Sequence, residues 1–143
     1  MSWDVHVIKA DAPPPPVADL PCGFESDPMG TGDEVRAAIS RILPSTDWSD
    51  RCWGLFQGDG YSLEFCIGDK PQVQSFSILV RGDGDPIPVL FRIASDNGWY
   101  MIDLQTTEWL HHQAEPSRSW RTFKGWRDRI MGKLRPNHED NTR

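Results

Sequence analysis

The sequence predicts an α+β fold with a largely antiparallel sheet of about five strands and three helices, in the order β-α-β-β-β-α-β-α. Apolar residues alternate with polar ones near the N-terminus and again over 52–82, which is the period of half-buried strands. Three other segments carry apolar residues at helical spacing next to capping signals. Because glycine-containing turns rather than helices join the central strands, the sheet should be antiparallel.

Length and composition bound the class of protein. The 143 residues are enough for one self-sufficient core, and we predict a single α+β domain over 1–135 followed by a disordered C-terminal tail over 136–143. The first residues lack the basic and apolar regions of a signal peptide, and no run is apolar enough to span a membrane. Three cysteines without a C-x-x-C spacing suit reduced thiols. We therefore expect a cytoplasmic protein with no membrane contact.

A short strand and a proline-rich segment begin the domain. Trp3, Val5 and Val7 alternate with polar residues and predict a strand over 3–10. The crossover at 11–30 contains six prolines, which lack an amide donor and exclude helix and central strand alike. They are Pro13, Pro14, Pro15, Pro16, Pro21 and Pro28. We interpret the segment as a stiff surface spacer rather than as a polyproline ligand.

A capping box predicts where the first helix begins. The Thr31 hydroxyl is placed to accept from the Glu34 amide, and the Glu34 carboxylate can reach back to the amide of Thr31. One apolar stripe follows at helical spacing, made of Val35, Ala38, Ile39, Ile42 and Leu43. Pro44 should end the helix.

Two glycine-containing breaks, 58–60 and 68–71, divide the segment 52–82 into three strands of a meander. With a three-residue loop at 58–60, Trp53 and Leu55 would face the core. Their partners in that register would be Leu63 and Phe65, and Cys52 would lie opposite Cys66. A disulfide between these cysteines would then be possible in geometry, but we expect both thiols to be reduced in the cell.

A second helix and a further strand complete the sheet. Asp85 is placed to cap a helix with Pro86 at its first position, and Asn97-Gly98 is a left-handed end signal. The apolar residues between them nearly encircle the helix, so it should pack deeply against the sheet. A strand over 99–104 follows.

The last helix, 119–134, carries an apolar stripe and many basic residues, and Ser117 or Ser119 should cap it. The stripe consists of Trp120, Phe123, Trp126, Ile130 and Leu134. Residues 116–143 have a net charge of +5, whereas residues 1–115 have −11, which gives −6 for the chain. Charge of this kind bears on partners rather than on fold.

Three interpretations of the basic helix compete. Its cations could neutralise phosphates, but the acidic remainder repels a polyanion and no nucleic-acid-binding motif is present, so we predict no nucleic-acid partner. We favour a helix that docks its stripe on the domain while its cations complement the acidic body. A monomer, or a weak homodimer through the 119–134 helix, is expected.

Exposed tryptophans mark interfaces, and Trp48, Trp109 and Trp126 are the ones we expect at the surface.

No catalytic constellation, metal site or cofactor motif is evident. The loops 58–60 and 82–85 have too few oxygen ligands at the spacing of a calcium site. Adjacent His111 and His112 would point to opposite faces, so a zinc site with Glu108 or Glu115 would need ligands from elsewhere. We therefore predict no catalytic residue, no metal and no cofactor.

Four phrases in the sequence suggest relatives: MSWDVHV at 1–7, TDWSD at 46–50, GDGYSLEF at 58–65 and RGDGDP at 81–86. Together they resemble a group of small bacterial proteins with no assigned activity. The resemblance implies a bacterial cytosolic origin and transfers no catalytic residue to this chain. The small acidic character is also similar to that of immunity proteins, which neutralise toxins.

Two functional hypotheses follow. The first is a non-enzymatic, immunity-like protein that binds a basic protein partner through an acidic face. That face would consist of Asp47, Asp50, Asp59, Asp83 and Asp85. The alternative is a small enzyme or ligand-binding protein with a pocket near Trp48, Glu64 and the Asp83–Asp85 loop.

Overall fold

In the described part of the chain, a sheet of seven antiparallel strands forms one layer and three α-helices form the other. The computed structural model describes residues 2–113 and 115–134. The strands are β1 (Trp3–Lys9), β2 (Asp47–Asp50), β3 (Trp53–Gln57), β4 (Tyr61–Cys66), β5 (Phe76–Gly82), β6 (Trp99–Asp103) and β7 (Glu108–Trp109). The helices are α1 (Gly32–Ile42), α2 (Ile87–Asn97) and α3 (Pro116–Leu134). Across the sheet the strands run in the order β2-β3-β4-β5-β1-β6-β7.

The α+β class and the three helices are confirmed, but the described residues form seven strands instead of about five. The two unforeseen strands, β2 and β7, are short and lie at opposite edges of the sheet. Neither has the alternation of apolar and polar residues that predicts a strand. Each is recognised only by its pairing with one neighbouring strand. The single domain over 1–135 stays a prediction, and the predicted tail at 136–143 lies outside the described residues.

All three helices pack on the same face of the sheet. The strands contribute alternate residues to one core, among them Val5, Val7, Leu63, Phe65, Ile78 and Val80. The helices contribute Ile39 from α1, Leu90 and Ile93 from α2, and Trp120 and Phe123 from α3. None of the described helices is long and apolar enough to cross a membrane.

The helix boundaries follow the capping signals closely. Thr31 Oγ1 accepts from Glu34 N at 3.2 Å, and Glu34 Oε1 accepts from Thr31 N at 2.9 Å. Asp85 Oδ1 accepts from Ile87 N at 3.0 Å at the start of α2. Gly98 ends that helix with φ +67°. Helix α3 begins at Pro116, before either of the serines expected to cap it.

The hairpin between β3 and β4 has a different register from the one expected. The chain reverses over Asp59 and Gly60, and Gln57 lies opposite Ser62. A shift of one residue sends every side chain of the strand to the other face. The prediction that Trp53 and Leu55 face the core is therefore wrong, and both are exposed. The same shift places Trp53, not Cys52, opposite Cys66.

The proline-rich crossover covers part of the face opposite the helices. Pro14 is buried, and Trp109 Nε1 donates to Pro15 O at 2.8 Å. The prediction of an exposed Trp109 is therefore wrong. Leu20 and Phe24 lie beside the outward residues of β1 and β6. The outward side chains of β3, β4 and β5 are exposed or half-buried, and no other described element packs over them.

Candidate functional site

The uncovered outer surface of the sheet is the candidate site, which we call the open face. Residues opposite one another in an antiparallel pair share a face, so the register defines its members. They are Trp53, Leu55, Gln57, Ser62, Glu64, Cys66, Ser77, Leu79 and Arg81. Antiparallel sheets commonly leave one face to solvent, but that face is normally polar.

Two large apolar side chains stand next to each other on the open face. Trp53 is 40% exposed and Leu55 is 47% exposed, and both belong to β3. Trp53 Nε1 donates to Glu64 Oε1 at 2.9 Å, which orients the indole ring. Tryptophan is one of the residues enriched at the energetic centres of protein interfaces.

Charged groups flank this apolar pair on both neighbouring strands, and one more lies on β1, three strands from β3. Glu64 also forms an ion pair with Arg81 across β4 and β5. Asp47 lies opposite Leu55 and Asp50 lies opposite Trp53, so the shift in register within β2 puts both carboxylates on the same face. Asp4 joins them from β1, where it lies opposite Leu79. We call Asp4, Asp47, Asp50 and Glu64 the acidic rim.

The two carboxylates of β2 are held by the backbone of their own strand. Asp47 Oδ1 accepts from the Ser49 hydroxyl at 2.6 Å and from Ser49 N at 2.8 Å. These bonds, the hydroxyl first, lower the pKa of Asp47 from its ordinary value. Asp50 Oδ1 accepts from Cys52 N at 2.9 Å. Acidic side chains on an edge strand also discourage pairing with another chain, so they have a structural role as well.

The Asp83–Asp85 loop contacts α3. Asp83 forms an ion pair with Arg127 at 2.7 Å, and Lys124 Nζ donates to Asp83 O at 2.8 Å. Trp120 Nε1 donates to Gly84 O at 2.7 Å. The basic helix therefore docks on this acidic loop, as the sequence interpretation favoured. Asp85 is occupied by its cap on α2.

The distal part of α3 leaves large apolar side chains in solvent. Trp126 is 43% exposed and Met131 is 40% exposed. The expectation of Trp126 at the surface is confirmed. Self-association through the 119–134 helix stays a prediction.

Trp48 and Glu64 lie on opposite sides of the sheet. Trp48 Nε1 donates to Ser40 Oγ of α1 at 3.1 Å, and its ring packs 6.2 Å from that of Phe65. The ring occupies the space over Gly54, where a Cβ would come within 2.6 Å of it. The structure therefore does not bring Trp48, Glu64 and the Asp83–Asp85 loop into one pocket. Asp59, at the tip of the β3–β4 hairpin, stands apart from the acidic rim.

A polar cavity of about 580 Å³ lies between the residues around β7 and α3. Glu108, His112 and Glu115, three of the residues considered for zinc, contribute to its lining. The Ser119 hydroxyl, also part of the lining, is buried and has no hydrogen-bond partner among the residues that the structure describes. Among the described residues, no group of three or more His, Cys, Asp or Glu side chains is placed to hold a metal ion.

The cysteines should differ strongly in reactivity. Burial, followed by the nearby charge of Asp4, raises the pKa of Cys66 to about 11, whereas Cys22 is exposed. At pH 8 about one Cys66 thiol in a thousand is ionised, against about one in four for an ordinary thiol. In a Cys52→Ser background we expect Cys22 to react with a thiol reagent about 100-fold faster than Cys66. Equal rates in a stopped-flow assay would contradict this burial, and Cys66→Ser should remove the slow phase.

Sequence reasoning found Asp47, Asp50 and Glu64 but missed the residues at the centre of the open face. Trp53 and Leu55 were assigned to the core, and Arg81 and Asp4 were not singled out. A two-residue turn at Asp59-Gly60 would have placed the apolar pair outward, because Asp-Gly is a common hairpin dipeptide.

Comparisons with family models, with curated proteins and with solved structures gave no match to this chain. The interpretation of the site therefore depends on its geometry and charge. The sequence resemblance to small bacterial proteins stays a prediction.

Proposed function

We propose that this chain is a non-enzymatic, immunity-like protein-binding domain of the cytoplasm that holds a basic protein on its open face. The observation that carries the proposal is the exposed pair Trp53 and Leu55 within a rim of carboxylates. The acidic surface expected from the sequence is kept in this proposal, but its residues change. Asp47 and Asp50 remain in it, and Glu64, expected in the alternative pocket, joins them. Asp83 and Asp85 make contacts within the chain instead.

The apolar pair supplies the short-range part of recognition. Burying a tryptophan and a leucine together removes a large apolar area from water, and neighbouring polar groups then exclude solvent from the contact. The hydrogen bond from Trp53 to Glu64 already restricts the indole, so less side-chain entropy is lost when a partner binds.

The acidic rim supplies the long-range part. Four carboxylates stand on or beside the open face, and Arg81 is the one described cation there, already paired with Glu64. The net charge of −6 has the same sign as the local excess. A cationic partner should therefore associate quickly at low ionic strength, and the rate should fall as salt is added.

Capture from a lysate of the source organism tests the apolar part of this proposal. Immobilised wild-type protein should retain a basic protein at low salt, identified by mass spectrometry. The double variant Trp53→Ser/Leu55→Ser should weaken binding of that protein by about 30-fold or more, the effect of losing an interface hot spot. Met131→Ser is the matched control, because Met131 is 40% exposed but belongs to α3, on the helix side of the sheet.

A second pair of variants tests the acidic rim. Asp47→Asn/Asp50→Asn removes two charges but keeps the side-chain oxygens that accept from Ser49 and Cys52. We expect slower association and a weaker dependence on salt, with Asp11→Asn/Asp19→Asn as the control of equal charge change. If the captured protein is not basic, or if the open-face and control variants retain it equally, the proposal is wrong.

A further inference from the structure

A second concave surface lies on the helix side of the sheet, away from the open face. It is a groove of about 430 Å³ between α2, the first residues of β6 and the short 3-10 helix Leu110–His112. Its lining is mainly apolar and aromatic, and includes Phe91, Ala94, Trp99, Tyr100, Leu110 and His111. This volume falls within the range of small-molecule sites.

The polar groups of the groove favour an anion. Arg92 supplies the one side chain in the lining that is always charged. Its neighbour Asp96 lies 3.9 Å from Arg92 Nε, and both side chains are more than half exposed, so this pair is weak. Burial, followed by the charge of His112, lowers the pKa of His111, which keeps that imidazole neutral at pH 7.

The edge of β6 adds backbone groups to the same groove. Strand β7 pairs only with Ile102 and Asp103, so the residues 99–101 have no strand neighbour on that side in the described chain. Alternate residues of a strand direct their N–H and C=O groups to the same side. At least one residue of 99–101 therefore directs its N–H to this edge of the sheet, next to the groove.

We propose that this groove is a binding site for a small aromatic carboxylate, with its ring against Trp99 and Phe91 and its carboxylate facing Arg92. The aromatic lining matches a flat ring, and the single fixed charge matches a single anionic group. The site does not depend on the proposed protein-binding function, because β6 and β3 are separated by three strands in the sheet.

Titration with 1-naphthoate, compared with the neutral 1-naphthamide, tests the inference. We follow the indole N–H signals of the full-length protein by NMR and expect Trp99 to shift while Trp53 does not. Naphthoate should bind about threefold to fivefold more tightly than naphthamide, the contribution of an exposed ion pair. Arg92→Gln should remove that difference without abolishing binding of the ring.

Two further variants make the result decisive. Ser95→Trp fills the mouth of the groove from an exposed helix position and should weaken naphthoate binding by about tenfold or more. Leu55→Ser, on the open face, should leave it unchanged. The inference is overturned if naphthoate does not bind, if Ser95→Trp has no effect, or if the signals that shift belong to the open face.

Discussion

Replacing Trp120 with alanine should lower the free energy of unfolding by about 3–5 kcal/mol, the range for deleting a buried aromatic side chain. The Trp120 side chain is 1% exposed, and its ring lies 5.6 Å from that of Trp3 and 5.9 Å from that of Phe123. The variant also loses the hydrogen bond to Gly84 O. Urea denaturation followed by circular dichroism measures the change.

Trp126→Ala is the control for this prediction, since it removes the same side chain from the same helix. Trp126 is 43% exposed, so its loss should cost less than about 1 kcal/mol. Equal effects of the two substitutions would mean that α3 does not dock on the sheet through Trp120.

Gly82→Ala should be the most damaging of the glycine substitutions, at about 3–4 kcal/mol. Gly82 has φ +108°, and a Cβ there would lie 2.4 Å from Gly60 O. That oxygen accepts from both Asp83 N and Gly84 N at 2.8 Å, so it cannot withdraw without breaking the loop that α3 holds. The alanine variant therefore combines backbone strain with a clash against backbone.

Gly98→Ala separates these two contributions. Gly98 also has positive φ, at +67°, but a Cβ there would meet no atom within 4 Å. Its substitution should cost only the strain, about 1–2 kcal/mol. If both alanine variants unfold at the same urea concentration, the close approach of the Gly60 and Gly82 segments is absent in solution.

The parts of the fold that sequence predicts well are those that neighbouring residues decide. The capping box of Thr31 and Glu34, the left-handed end at Gly98 and the glycine breaks of the meander all act within a few residues. The positions of α1 and α2 and the division into β3, β4 and β5 could therefore be inferred.

The register of the strands, and the side of the sheet to which each side chain points, are not decided by neighbouring residues alone. Whether Trp53 points inward or outward depends on one residue in the turn at Asp59-Gly60, and apolar alternation fits either choice. The tryptophan that points inward is Trp48, on the adjacent strand. Its ring fits there because Gly54 has no side chain. Only the assembled sheet shows which of the two tryptophans is covered.

The sequence predicted most of the acidic residues of the site, but not which of them lie together in the fold. The ion pair of Asp83 with Arg127 joins residues 44 positions apart, and no sequence pattern indicates it. By neutralising that loop, α3 leaves the acidic rim of the open face as a separate concentration of negative charge. Part of the charge difference between residues 1–115 and 116–143 is therefore used within the chain, where α3 docks on the Asp83 loop. The acidic rim is the part that remains for a partner.

Site-specific photocrosslinking tests the central claim most directly, because it reports which surface a partner touches. A benzophenone amino acid in place of Leu55 should crosslink to the captured basic protein, and the same group in place of Met131, on the helix side of the sheet, should not. Crosslinking from Met131 alone, or equally from both positions, would contradict the assignment of the open face as the protein-binding surface.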